Sequence, residues 1–111
     1  MAERVLAVTH IHGLAGRREE LRALMRETEA RVTDARLYRF TASFDDPDEY
    51  VHLQEWASAA DFEAHQSSAA FADYQRALFE LLARPSEMTV HRVARSFVPK
   101  PSAPVDPRAV D

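Results

Sequence analysis

The sequence predicts an α+β fold: one four-stranded antiparallel sheet with its helices on a single face, in the order β-α-β-β-α-β. Three observations lead there. Short apolar and β-branched runs at residues 5–10 and 88–97 bracket the chain. Two more strand-like runs, 35–44 and 50–57, are separated by little more than Asp45-Asp46-Pro47-Asp48, a turn composition that predicts a hairpin. The intervening stretches carry apolar residues at helical spacing.

The first strand, VLAVTH at 5–10, is ended by a turn over 12–16 that contains Gly13 and Gly16. Residues 17–32 place Leu21, Leu24, Met25, Thr28 and Val32 on one side of an amphipathic helix, with arginines and glutamates around the other. The row Arg18, Arg22, Arg26 is interleaved with glutamates and reads as a solvated face. After the hairpin, Ser58 and Asp61 have the spacing of a capping box and open a short helix over 58–67. Ser68 can cap another, whose stripe is Phe71, Tyr74, Leu78, Phe79 and Leu82, and Pro85 stops it. The last strand, MTVHRVARSF, spans 88–97. This order is the ferredoxin-like motif, with expected strand order 4-1-3-2 and the second helix broken in two. One domain is expected over 1–98, followed by a tail over 99–111 rich in proline and poor in apolar residues. The strands are apolar on both faces, so the sheet face without helices is an expected interface, and a homodimer joined sheet to sheet would cover it.

Composition narrows the function. With a net charge of −4 and pI near 5.7, the chain lacks the basic face that nucleic acid requires. Cysteine is absent, which removes disulfides, thiolate metal sites and thiol catalysis. Two glycines cannot build a phosphate-binding loop such as GxxxxGK[ST] or GxGxxG. No apolar run approaches ~18 residues and no leader pattern opens the chain, so a cytoplasmic protein with no membrane partner is expected.

The most informative stretch is 49–68, EYVHLQEWASAADFEAHQSS. Strand alternation puts His52, Gln54 and Trp56 on one face, and Phe62 and His65 follow on the helix. An apolar wall, an aromatic and an imidazole so close together suggest a small-molecule pocket. His10 and His12 form an H-x-H pair whose third metal ligand would have to be His52 or His91; with no carboxylate at matching spacing, no metal site is expected.

Residues 5–97 resemble the antibiotic biosynthesis monooxygenase (ABM) domain of the dimeric α+β barrel superfamily. The resemblance rests on the helix start Arg18-Glu19-Glu20-Leu21, the strand end Glu55-Trp56 and the following pattern Ser58, Phe62, His65, Ser68, Phe71. Thr33-Asp34 stands where the family usually has a glycine before the second strand. The resemblance implies a dimeric α+β barrel and, from its best-known members, cofactor-free oxygenation of anthrone-like or quinol-like aromatics. Those members present an Asn four residues before the Trp, a Tyr six after it and an Arg beyond; here the positions hold His52, Phe62 and Arg76. Haem-degrading relatives use an Asn and a His where this chain has His10 and Gln75, and the missing axial histidine argues against that chemistry.

On this reading no cofactor is needed. The pocket would lie on the helix side of the sheet, with His10 beside Leu6 and Val8, and with Phe62, His65, Phe71 and Tyr74 closing it. His52 or His65 would be the base, because an imidazole titrates near the working pH. Trp56 would be the aromatic wall, and Arg76 or Tyr74 the oxyanion donor. For each residue a plain structural role competes: Trp56 as core, either histidine holding a backbone carbonyl, Arg76 solvated. Two other functions compete as well, a non-catalytic module binding a hydrophobic metabolite and a haem- or metal-binding protein of the same fold.

Overall fold

A computed structural model of the chain describes residues 3–95, 97 and 99. The elements are β1 (Val5–His12), α1 (Arg18–Arg31), β2 (Leu37–Ala42), β3 (Glu49–Trp56), α2 (Ala59–Gln66), α3 (Ala69–Phe79) and β4 (Glu87–Arg92). They form one antiparallel sheet in the order β2-β3-β1-β4, the ferredoxin-like order the element sequence predicts. The tail expected over 99–111 lies, Pro99 apart, outside the described residues.

Local chemistry explains the element ends. Gly16 turns the chain into α1 at φ +84, a conformation that a side chain would strain. Gly13 has a different reason: a Cβ there would meet Leu21 Cδ2 at 2.7 Å. The Ser58 hydroxyl accepts the Asp61 N–H at 3.1 Å and caps α2. Ser68 separates α2 from α3, donating its hydroxyl to the His65 carbonyl at 2.6 Å and accepting the Phe71 N–H at 3.2 Å. At the sheet edge, Glu29 of α1 accepts the Phe40 N–H of β2 at 2.8 Å, so a helix blocks part of that edge.

Several boundaries differ from expectation, β2 being shorter at Leu37–Ala42 than the expected 35–44, and three of the differences have a local cause. β1 continues to His12 because its ladder with β3 runs on to the His12–Glu49 pair. α3 ends at Phe79, short of Leu82, because Leu81 and Ala83 leave the helix to bond Leu14 and His12 at 2.8 and 2.7 Å. β4 ends at Arg92 rather than at residue 97 because Arg92 pairs with Val5, the first residue of β1, and among the described residues the pairing continues only as one bond from the Val93 N–H to the Arg4 carbonyl at 2.9 Å.

The helices cover the sheet face that carries Ile11 and Tyr50, and Leu21, Met25, Phe71 and Leu78 pack between the layers. Each such side chain stabilises the fold by about 1.5–3 kcal/mol through removal from water. Along β1 the buried residues are Val5, Ala7, Thr9, Ile11 and, at its end, His12, while Leu6 and Val8 are half-buried and His10 is exposed. β3 likewise buries Tyr50, His52, Gln54 and Trp56 and leaves Val51 and Leu53 half-buried on the other face.

This register corrects one expectation. Directly paired residues of antiparallel strands share a face. Thr9 pairs with His52 and His10 with Val51, so His10 lies on the opposite side of the sheet from His52. Leu6, Val8 and His10 therefore line the outer face, and the residues beneath the helices are the other set.

Candidate active site

The helix-facing side of β2 and β3 is an aromatic wall. Phe40 pairs with His52 and Tyr38 with Gln54 across the hairpin. The Phe40 and His52 rings are stacked, with centroids 3.8 Å apart and planes 9° from parallel. Tyr38 meets His52 edge-on at 4.5 Å. His65 descends from the end of α2 and stacks on Trp56 at 4.8 Å, with Phe71 of α3 at 5.1 Å on its flank. Tyr38 Oη and His65 Nε2 lie 3.3 Å apart. Burial pushes the Tyr38 phenol pKa up and the His65 pKa down, Asp34 opposing the latter. The contact therefore joins a neutral phenol to a neutral imidazole.

Beside this wall, between the sheet and α3, lies a cavity of about 280 Å³. Thr9, His52 and Gln54 line it from the sheet, Gln66, Phe71, Tyr74 and Gln75 from the helices, and Ser86 and Met88 from the approach to β4 and its start. Among the described residues six buried side-chain polar atoms lack a hydrogen-bond partner in the protein. Five of them belong to residues lining this cavity: Thr9 Oγ1, His52 Nε2, Gln54 Nε2, Gln66 Oε1 and Ser86 Oγ. A buried polar atom left unpaired costs roughly 1–3 kcal/mol. Five together would rival the whole net stability of a domain, about 5–15 kcal/mol, if the space stayed dry. The unpaired atoms are thus gathered around one cavity rather than scattered through the core.

The orientation of Gln54 follows from its neighbour. Trp56 Nε1–H donates to Gln54 Oε1 at 3.1 Å. An indole only donates, so the amide oxygen must face it and the amide NH2 is left for the cavity. Gln66 presents the complementary group, an acceptor oxygen. His52 completes the set: burial, helped by His65, lowers its pKa to about 3, so its ring is neutral near pH 7. Tyr74, its phenol pKa raised by burial and then by Tyr38, stays protonated and can donate.

Of the expected site residues, His52, Phe71 and Tyr74 reach the cavity. Trp56 and His65 form the wall behind it. Phe62 is half-buried on α2 and does not line it. Arg76 is directed to solvent, its side chain 78% exposed and paired, among the described residues, only with Asp73 at 3.5 Å. Position 76 falls on the polar side of α3, whose buried residues are Phe71, Tyr74 and Leu78. His10 stands on the outer face, and His12 is engaged by Glu49 and by Arg84 at 3.1 Å. The pair His10 and Gln75, considered for haem, is thus divided between the two faces of the sheet. Among the described residues no group of three histidines or carboxylates could hold a metal ion.

Thr9, Tyr38, Phe40, Gln66 and Ser86 enter the site without having been singled out for it, and Gln54, which alternation puts on the face of His52 and Trp56, enters it without an expected role. For Tyr38, Phe40 and Gln54 a signal existed, since period-two alternation across a hairpin aligns them with His52 and Trp56. Gln66 and Ser86 carry no comparable signal, because only the tertiary fold brings them over β1.

Comparison with known proteins bears on the fold and the family. The sequence profile described as antibiotic biosynthesis monooxygenase matches residues 4–77. Among solved structures, a candidate antibiotic biosynthesis monooxygenase from Caulobacter crescentus superposes with a TM-score of 0.79 at 15% identity, over 85% of this chain and 92% of that one. Another from Nitrosomonas europaea gives 0.76 at 14% identity, over 85% and 93%. The Rv0793 protein of Mycobacterium tuberculosis gives 0.75 at 26% identity, over 84% and 97%. No curated protein matches the chain. A profile match running from the start of β1 into α3, on a four-stranded sheet of this order, shows that the chain belongs to the antibiotic biosynthesis monooxygenase family.

Proposed function

We propose that the protein is a cofactor-independent monooxygenase acting on a small aromatic polyketide, anthrone or quinol-like substrate in the cavity between the sheet and α3. The observation that carries the reading is the set of five unpaired polar atoms beside an aromatic wall. A planar aromatic with a hydroxyl and a carbonyl or phenolate oxygen satisfies both the Gln54 donor and the Gln66 acceptor.

Such substrates are electron-rich enough to reduce dioxygen themselves. Removal of a phenolic proton or an activated C–H proton leaves an anion, which transfers an electron to O2; the radical pair recombines as a peroxide. Loss of water completes the reaction. An anthrone CH2 becomes C=O, or a ring C–H of a quinol becomes C–OH with oxidation to the quinone, and one O2 is consumed and one H2O released. The protein supplies a base and donors for the oxyanion. His52 is the proposed base. Burial alone makes its imidazole a weak one, but an anion formed beside it favours the imidazolium by ~1–3 pKa units. Gln54, Thr9 and Tyr74 are the proposed donors, and Trp56 positions the Gln54 amide. The conjugated ring would lie along the wall of Phe40, His52 and Phe71.

The proposal includes a cytoplasmic homodimer joined through the outer sheet face, where Leu6, Val8, Val51 and Leu53 are half-buried without helix cover. Sedimentation at micromolar concentration should give twice 12.6 kDa, and a monomer would refute this part.

The activity is tested by oxygen uptake above the autoxidation rate with anthrone and with 1,4-dihydroxynaphthalene. His52→Gln should lower kcat by about 10²–10⁴, the usual contribution of a positioned base. Tight binding without oxygen uptake would sink the enzyme reading and leave a metabolite-binding module.

A further inference from the structure

We infer that the ligand of this cavity carries an apolar extension, an alkyl or prenyl chain on its aromatic nucleus, and that a groove at the end of α3 receives it. The inference rests on the reading of the inner cavity as an aromatic site and adds a second subsite to it.

A second cavity, of about 650 Å³, adjoins the first. Gln75, Leu78 and Ser86 belong to the walls of both, so the two spaces meet along one boundary. Their chemistry differs sharply. The inner cavity is lined by the residues that carry the unpaired donors and acceptors. The outer groove adds Phe79, Leu82 and Pro85 to Leu78. Its single charged side chain, Arg84, is engaged towards the sheet by His12 at 3.1 Å and Glu49 at 3.8 Å. Phe79 is 80% exposed, a large aromatic held at the groove without cover from the described residues.

Size points the same way. The inner cavity sits at the lower edge of the ~300–1,000 Å³ usual for small-molecule sites, room for a two- or three-ring nucleus. The outer groove is more than twice as large and offers few polar partners. Polar groups deep and apolar walls outside suit an amphiphile that enters head first, its oxygens reaching Gln54 and Gln66 while its chain lies against Leu78, Phe79 and Leu82. A compact polar substrate would leave the groove without a role.

The test uses oxidised probes that bind without turnover: 1,4-naphthoquinone and its 2-methyl, 2-butyl and 2-hexyl derivatives. Binding is read by quenching of Trp56, the only tryptophan in the chain. In the wild type, affinity should rise about two- to fourfold per methylene, the increment for a CH2 leaving water. In Phe79→Ser, the gain from methyl to hexyl should shrink at least tenfold while 2-methyl affinity stays within twofold; position 79 is exposed, so the fold should tolerate the change. Equal affinity along the series in the wild type, or the same slope in the variant, would overturn the inference while leaving the inner site standing. A change in sedimentation of Phe79→Ser would also overturn it, because the groove would then be covered by a second copy of the chain. Failure of every probe to bind, the shortest included, would remove the inner-site reading and the extension with it.

Discussion

His52 should make the protein acid-sensitive in a way that one substitution can isolate. The ring lies stacked on Phe40 at 3.8 Å and has no partner at Nε2. Burial, with His65 adding to it, lowers its pKa from 6.5 to about 3. The unfolded chain therefore binds a proton at His52 between pH 6.5 and 3 that the native state does not. Stability conferred by the neutral ring is present above pH 6.5 and is lost progressively as the pH falls towards 3. A difference of 3.5 pKa units corresponds to a ceiling of about 5 kcal/mol. Over the accessible window from pH 7 to 5, the linkage integral is about 2 kcal/mol. The assay is urea unfolding of wild type and His52→Gln at pH 7, 6 and 5, at fixed protein concentration. The variant starts less stable but should lose about 2 kcal/mol less on acidification, since glutamine does not titrate and the other histidines are common to both. Parallel pH dependences would refute the reasoning and show that the ring reaches solvent in the folded protein.

Other substitutions probe the packing and the limits of the site. Gly13→Ala sets a Cβ 2.7 Å from Leu21 Cδ2 and 3.2 Å from the Asp48 carbonyl. Leu21 is 1% exposed and has little room to yield, so a loss of about 1–3 kcal/mol is expected in denaturant unfolding. A neutral result would mean that β1 and α1 pack more loosely than described. Arg76→Ala should change stability by less than about 0.5 kcal/mol and kcat/KM by less than about twofold, because its contact is one exposed ion pair. A tenfold loss of activity would return Arg76 to the site. With the trial of His52 as base and the chain-length series at Phe79, these measurements separate the stability of the scaffold from the chemistry of the cavity.

Local patterning alone determined the order of elements, the hairpin, the broken second helix and its capping serines, because spacing, turn composition and caps act over a few residues. The family was legible in Glu55-Trp56 and the pattern that follows it. The face of β1 beneath the helices was not: alternation defines two sets of residues but does not say which is covered. Only the pairing of Thr9 with His52 decided that, and with it the exclusion of His10. The cavity is a tertiary object for the same reason. Its walls come from β1, β3, α2, α3, β4 and the segment before β4, so its unpaired atoms meet only when sheet and helices are packed together. The environment of His52 also belongs to the fold, since an imidazole acquires its lowered pKa from burial and from His65, residues apart in sequence and adjacent only in space.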